Sequence, residues 1–255
     1  MIRKTVEILK SRWPEAMLLL VLQTAMMLLY EEMMKRWGMG AESPIPAPEW
    51  AMFLLGMGSM AMIIVWHLLL LGFVKTAAME GTMPQEPMTL LKMGRPYLWR
   101  IIGFQFVLAG GVWLLTWAMV SCYYYASGQA SGTLPPGWLL EVVGAAAIVL
   151  LMKPVFLVPA FIVVLDLPVM DSFARMMQVH LREIGGFVKA AVIGFAIVTA
   201  LGAVLSFAPD EGALFYAAAG LNYLAKSVNL LVLLTAMAVW TAGVFLPPAP
   251  PSGGD

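Results

Sequence analysis

The sequence predicts an all-α integral membrane protein, a helical bundle with six transmembrane helices and a cytoplasmic amphipathic helix. Three observations predict it. Of 255 residues, 61% are hydrophobic and 12% charged, about half the charged share of an ordinary soluble domain. Apolar runs near or above the ~20 residues that cross a hydrocarbon core recur six times. The charges fall between those runs, and the cations concentrate in alternate connections.

The chain opens on "MIRKTVEILKSRW", which is basic and amphipathic. No small-residue cleavage site follows, so the first apolar run is expected to be retained. "WPE" at 13–15 opens the first span, 14–34, with proline in a first helical turn. Beyond Tyr30, the pairs Glu31/Lys35 and Glu32/Arg36 have helix-supporting spacing, and Gly38 can close that helix. The second span, 50–74, follows "PAPEW", and the fourth, 138–159, follows "LPPGW". In both, Trp50 or Trp138 suits the headgroup level. The third span, 98–124, ends where Tyr123, Tyr124 and Tyr125 form an aromatic belt. The fifth covers 186–208 and the sixth 224–246. "EGALFYAAAGLNYLAK", just before the sixth, reads either as an interfacial helix ending at Lys226 or as part of one long tilted rod. Residues 1–246 thus make a single transmembrane domain, and the tail 247–255, "PPAPPSGGD", has nothing to pack and is expected to be disordered. Stretches 45–125 and 133–208 can be a repeat, since each begins outside, descends, crosses a charged link and returns.

Orientation follows from the cations. Arg3, Lys4, Lys10 and Arg12 precede the first span; Lys75, Lys92, Arg95 and Arg100 lie around the second connection; Arg175, Arg182 and Lys189 lie around the fourth. The opposite connections hold only Lys35 and Arg36, with acidic Asp210 and Glu211 in the fifth. The positive-inside rule then places the chain in the inner membrane, multi-pass, with both termini cytoplasmic. Fifteen basic and fifteen acidic residues cancel, and no continuous basic face is available for nucleic acid. Cys122 is alone, which leaves no internal disulfide and no thiolate cluster.

The link 168–184 carries Val169, Met170, Phe173, Met176, Met177, His180, Leu181 and Ile184 at helical spacing, with Asp171, Ser172, Arg175, Gln178 and Arg182 between them. That is an amphipathic helix in the inner interface. Asp166 stands where it can cap the helix, and Pro168 is tolerated in its first turn.

Lys153, about 22 Å down a span that starts at Trp138, has two readings. Its stem can snorkel to the inner headgroups. Alternatively it is a buried cation that binds an anion or pairs with a carboxylate. Pro154 and Pro159 mark a broken helix in the second case and the helix's inner end in the first. The stretch "LLMKPVFLVPAFIVVLDLPVMDSFARMMQVHLREIGGFVKAAVIGF" resembles the membrane domain attached to some bacterial glycerophosphodiester phosphodiesterases, shared with small YciC-like integral membrane proteins. In that resemblance Lys153, Pro159, Asp166, the helix around Ala174 and Arg175, and Gly185 to Lys189 hold the matching places. Met176 stands where the family commonly has serine, and Arg182 near an expected glycine. The resemblance implies no catalytic residue, because the phosphodiesterase chemistry belongs to a separate domain.

"DSFAR" followed by "GG" shares elements with CDP-alcohol phosphotransferases, but the several carboxylates that hold their metals are missing. His67 is the one histidine inside a span; a bis-histidine haem needs a second at that depth, and His180 belongs at the surface. A hydrogen bond to a neighbouring helix fits His67 better. The methionines, Met57, Met60 and Met62 among them, are spread over most spans, as core filler would be. Gly186, Ala190 and Gly194 form a small-residue stripe suited to close packing within the chain or to a homodimer.

No nucleophile motif, phosphate loop or metal cluster emerges, which argues against an enzyme and implies no cofactor. The leading expectation is a non-enzymatic scaffold or transport-supporting module that contacts lipid through the amphipathic helix, with Arg175 and Arg182, seven apart, meeting phosphates from one face. The alternatives are a subunit docking other membrane proteins, or a small permease with its site near Lys153 and His67. The candidate contact residues are therefore Lys153, Asp166, Arg175, Arg182 and His67.

Overall fold

The computed structural model describes residues 2–36, 49–79, 81–128, 137–180, 182–205, 207 and 213–246, and among them every regular element is helical. The side chains of Trp50, Trp138, Glu31, Glu32, Lys35 and Arg36, and residues Gly38, Leu181, Asp210, Glu211 and 247–255, lie outside the described residues.

Helix α1 (Ile2–Ser11) turns Thr5 and Ile8 inward and leaves Arg3, Lys4, Glu7 and Lys10 exposed. Only Arg12 separates it from α2 (Trp13–Arg36), and helical hydrogen bonds continue through the joint, Arg12 N to Ile8 O at 2.9 Å and Ala16 N to Arg12 O at 3.0 Å. Helix α3 (Glu49–Met79) returns. The short α4 (Pro87–Gly94) starts with proline in its first turn, and one 3-10 turn (Arg95–Tyr97) leads into α5 (Leu98–Ser127). Gly128, at φ 64, closes α5 in the left-handed conformation that glycine adopts without penalty. Helices α6 (Gly137–Val164), α7 (Val169–Gln178), α8 (Gly185–Leu205) and α9 (Ala213–Phe245) follow.

Among the described residues, five segments are long and apolar enough to cross a membrane: Trp13–Tyr30, Gly56–Met79, Pro87–Ser127, Gly185–Leu205 and Ala213–Phe245. Their outward surfaces are apolar too, with Phe106, Trp113, Trp117, Phe195 and Ile197 all at least 60% exposed. Such a surface is stable against hydrocarbon and would aggregate in water. Helix α9 buries nine of its 33 residues, whereas α8 buries two of its 21. Helix α9 is therefore the central post, packed on α1, α2, α3, α6 and α8.

The core sits toward one end. Fully buried Phe73, Leu90, Leu157, Phe161, Ile162 and Met237 belong to the halves of their helices that meet α1, α4 and α7. Contacts across the chain show that these parts share an end: Glu15 accepts from the Gln85 backbone, Lys75 reaches Val164, Arg100 reaches Asp166, and Arg175 lies on Phe245. The N-terminal helix, the α3–α4 connection, the α6–α7–α8 link and the end of α9 thus lie together.

Helices α3 and α4 touch backbone to backbone. A Cβ at Gly72 would lie 2.0 Å from the Leu90 carbonyl oxygen, and one at Gly94 would lie 2.0 Å from that of Leu68.

Three expectations need correction. Helix α6 runs through both prolines, so Pro154 and Pro159 neither break it nor end it. Each removes one bond to the carbonyl four residues back, a loss that packed membrane helices tolerate. Helix α7 stops at Gln178 rather than reaching 184, because Val179 is extended and its N–H closes back on Met176 O at 3.1 Å. Its N-cap position is held by Pro168 with no side-chain cap, so Asp166 does not cap it. Of the two readings for the start of α9, the single long rod is the observed one.

Candidate functional site

A polar cluster joins three helices at the α6–α7 elbow. Helix α6 ends at Val164, and Leu165 N and Leu167 N both bond back to Phe161 O, at 3.1 and 3.4 Å. Asp166 between them adopts φ 57. Aspartate is among the few residues that enter this left-handed region without large strain. Two cations hold the turn. Lys75 Nζ of α3 donates to Val164 O at 3.1 Å, where the orphan carbonyls and dipole of α6 favour positive charge. Arg100 Nη1 of α5 donates to Asp166 Oδ1 at 2.6 Å and to the Asp166 carbonyl at 3.2 Å. Tyr97 supports Lys75, whose Nζ stands 5.6 Å from its ring centroid. The Arg100 and Asp166 side chains are 38% and 62% exposed, so their pair adds only about 0–1 kcal/mol. What it supplies is geometry, since one guanidinium reads both the side chain and the main chain of the elbow.

The elbow sets the roll of α7. Ser172, whose hydroxyl donates to Pro168 O at 2.9 Å, is buried with Met176 and Val179. Phe173 packs on Phe104 of α5 with centroids 5.8 Å apart. Arg175 lays its guanidinium 4.8 Å from the Phe245 ring centroid and donates to Gln178 Oε1 at 3.1 Å. Met170 and Met177, two helical turns apart on one line, are left 72% and 73% exposed. Helix α7 therefore has one face locked to the bundle and an apolar strip facing away.

The expected residues are thus partly brought together. Asp166 and Arg175 belong to this end, joined through α7. Arg182 is exposed in the 182–184 turn beyond the helix end, so it does not share a helical face with Arg175. Lys153 is half-buried on α6, and among the described residues it has no hydrogen-bond or ion-pair partner. It lies 11 residues before Val164, about 16 Å along the helix.

His67 is held separately. Its Nδ1 donates to Ile63 O at 2.8 Å, which leaves Nε2 to accept from Gln105 Nε2 on α5 at 3.4 Å. Its ring meets Trp66 edge to face. His67 and Gln105 line a cavity of about 260 Å³ between α3, α5, α6 and α9 whose other walls are apolar, Phe104, Pro159 and Leu234 among them. Lys153 does not line it, so the structure does not join Lys153 and His67 in one site. Among the described residues no group of His, Cys, Asp and Glu could hold a metal.

A second polar cluster escaped the sequence reading. Arg12 and Glu15 are 0% and 5% exposed. Arg12 Nε donates to Glu15 Oε2 at 2.8 Å, Nη2 bonds the same oxygen and Thr76 Oγ1, and the guanidinium lies 4.6 Å from the Phe73 centroid. Glu15 Oε1 also accepts from the Gln85 backbone N–H. This network ties the α1–α2 joint to α3 and to the start of the α4 hairpin. Its one local signal is an acid three residues after an arginine at a helix opening. Comparison with protein-family models, with curated proteins and with solved structures gives no match.

Proposed function

We propose that this chain is a non-enzymatic six-span protein of the inner membrane, with both termini cytoplasmic, that contacts lipid through α7 and acts as a scaffold or transport-supporting module. A chain whose first and last helices meet at one end crosses an even number of times. The 28 residues of α6, about 42 Å of helix, supply the crossing that makes the five apolar segments six. Exposed Arg3, Lys4, Lys10, Lys92, Arg95 and Arg182 gather at the end shared with α7, the end that the positive-inside rule keeps in the cytoplasm.

The observation that carries the lipid reading is the fixed roll of α7, with Ser172 and Met176 buried while Met170 and Met177 face away. A helix rolled this way puts its methionines at the acyl boundary and Arg175 near the phosphates. The segment that resembles YciC-like membrane proteins spans α6 to α8 and includes this elbow. Each surface cation is worth about 1 kcal/mol toward an anionic leaflet. Arg175→Gln together with Arg182→Gln is therefore expected to lower the anionic lipid that co-purifies in mild detergent by roughly thirtyfold. Undiminished lipid in that variant would remove the proposed role.

A further inference from the structure

Toward the opposite end of the bundle, α6, α8 and α9 line a second cavity. Asn229 of α9 seats its side chain on Gly194 of α8, where an added Cβ would lie 2.2 Å from Asn229 Oδ1. Further along, Asn222 faces Gly202, where an added Cβ would lie 3.4 Å from Asn222 Oδ1. Between and beside these contacts lies a cleft of about 470 Å³, with Asn222, Lys226 and Thr199 on its polar side and Phe156, Leu230 and Leu233 on its apolar side. Asn222, Lys226, Asn229 and Leu233 fall on one face of α9, because their spacing follows the helical repeat.

One buried polar atom in this cleft is unsatisfied. Asn222 Oδ1 is buried and has no hydrogen-bond partner among the described residues, a state that costs about 1–3 kcal/mol unless a ligand relieves it. Lys226 is exposed and has no carboxylate partner among the described residues; its ammonium lies 5.4 Å from the Tyr223 ring centroid. Depth is informative. Lys226 stands 19 residues before Phe245, about 28 Å along α9 and so near the far border of a ~30 Å core. From Asn222 to Leu233 the wall descends about 16 Å and changes from amide and ammonium to leucine. A cation at the border, an amide beside it and an apolar channel beneath have the profile of an amphiphile standing upright in the membrane.

We propose that this cleft binds a phospholipid of the leaflet opposite α7, with the phosphate on Lys226, a headgroup hydroxyl on Asn222 and an acyl chain along Leu230 and Leu233. A hydroxyl both donates and accepts, so it satisfies the Asn222 amide in either orientation. The chemistry recognised is a phosphodiester with an adjacent hydroxyl, as in phosphatidylglycerol. Phosphatidylcholine has the phosphate but offers Asn222 no donor. This site uses no part of α7 and goes beyond the function proposed above.

The test is native mass spectrometry of the whole protein in detergent, with phosphatidylglycerol or phosphatidylcholine added at equal concentration. The unaltered chain should prefer phosphatidylglycerol. Lys226→Met, which keeps the aliphatic stem at an exposed position, should weaken that binding about fivefold, the worth of one cation at a phosphate surface. Asn222→Leu should abolish the preference over phosphatidylcholine. The Arg175→Gln, Arg182→Gln variant should retain the Lys226-dependent binding, which separates this site from α7. Glycerol 3-phosphate at millimolar concentration should not displace the lipid; displacement would overturn a phospholipid as the occupant and point to a soluble phosphate ester. Equal phosphatidylglycerol binding by the unaltered chain, Lys226→Met and Asn222→Leu would overturn the proposal.

Discussion

Gly72→Ala and Gly94→Ala are each expected to pry α4 from α3 and destabilise the protein by about 3 kcal/mol or more, at or above the upper end for overpacked sites. The added methyl at Gly72 would stand 2.0 Å from the Leu90 carbonyl oxygen and 2.6 Å from its carbon; at Gly94 it would meet the Leu68 oxygen at 2.0 Å and the Gly72 nitrogen at 3.0 Å. These are backbone atoms on both sides, so no side chain can swing away and a helix must move. Gly110→Ala on α5 is the control, since nothing lies within 4 Å of its position. There alanine should be neutral or stabilising by up to about 1 kcal/mol, from helix propensity alone. The measurement is the unfolding midpoint in detergent. A Gly72→Ala midpoint equal to that of Gly110→Ala would show that the helices do not approach this closely. Because α4 leads directly to Tyr97 and Arg100, the same substitution should also loosen the elbow.

Arg12→Leu is expected to cost about 3–5 kcal/mol, because it leaves the Glu15 carboxylate buried without its counter-charge. The double change Arg12→Leu, Glu15→Leu removes both charges and should recover a good part of the loss, since apolar replacement of a whole buried pair is often nearly neutral. Recovery will be incomplete, because the Gln85 N–H loses its acceptor. The informative quantity is the coupling energy from the full cycle of single and double variants. A double variant as unstable as the sum of its singles would mean that the two side chains do not act as a pair.

Run length was enough to place the long helices, because a long apolar run must satisfy its backbone within the segment and the sequence shows such runs in plain view. What the sequence hides is contact between distant segments. Helix α4 is only eight residues, PMTLLKMG, too short to hold without neighbours; it exists because Gly72 and Gly94 admit it against α3. Val179 and Ile184 continue the apolar pattern of α7 yet lie outside it, since periodicity reports which side chains are buried rather than whether the backbone is helical. Asp166 reads locally as a cap, and its actual partner, Arg100, is 66 positions away. Arg12 reads as one more flanking cation, and its burial depends on Thr76, 64 positions away. Lys153 and His67 stood out for the same reason, a polar group in an apolar span, but the packing turns His67 toward Gln105 and leaves Lys153 outside that cavity. Residue type showed that these groups are unusual; which neighbours they meet depends on helix rotation, which no single segment encodes.

Cysteine accessibility gives the most direct check on the arrangement of the chain across the membrane. In a Cys122→Ser background, Lys4→Cys, Lys92→Cys and Arg182→Cys, all at exposed positions on the end that carries α7, should react with a membrane-impermeant maleimide only from the cytoplasmic face. Ser127→Cys, at the far end of α5, should react only from the other. Labelling of Arg182→Cys from the face opposite Lys4→Cys would contradict a bundle whose basic connections share one side.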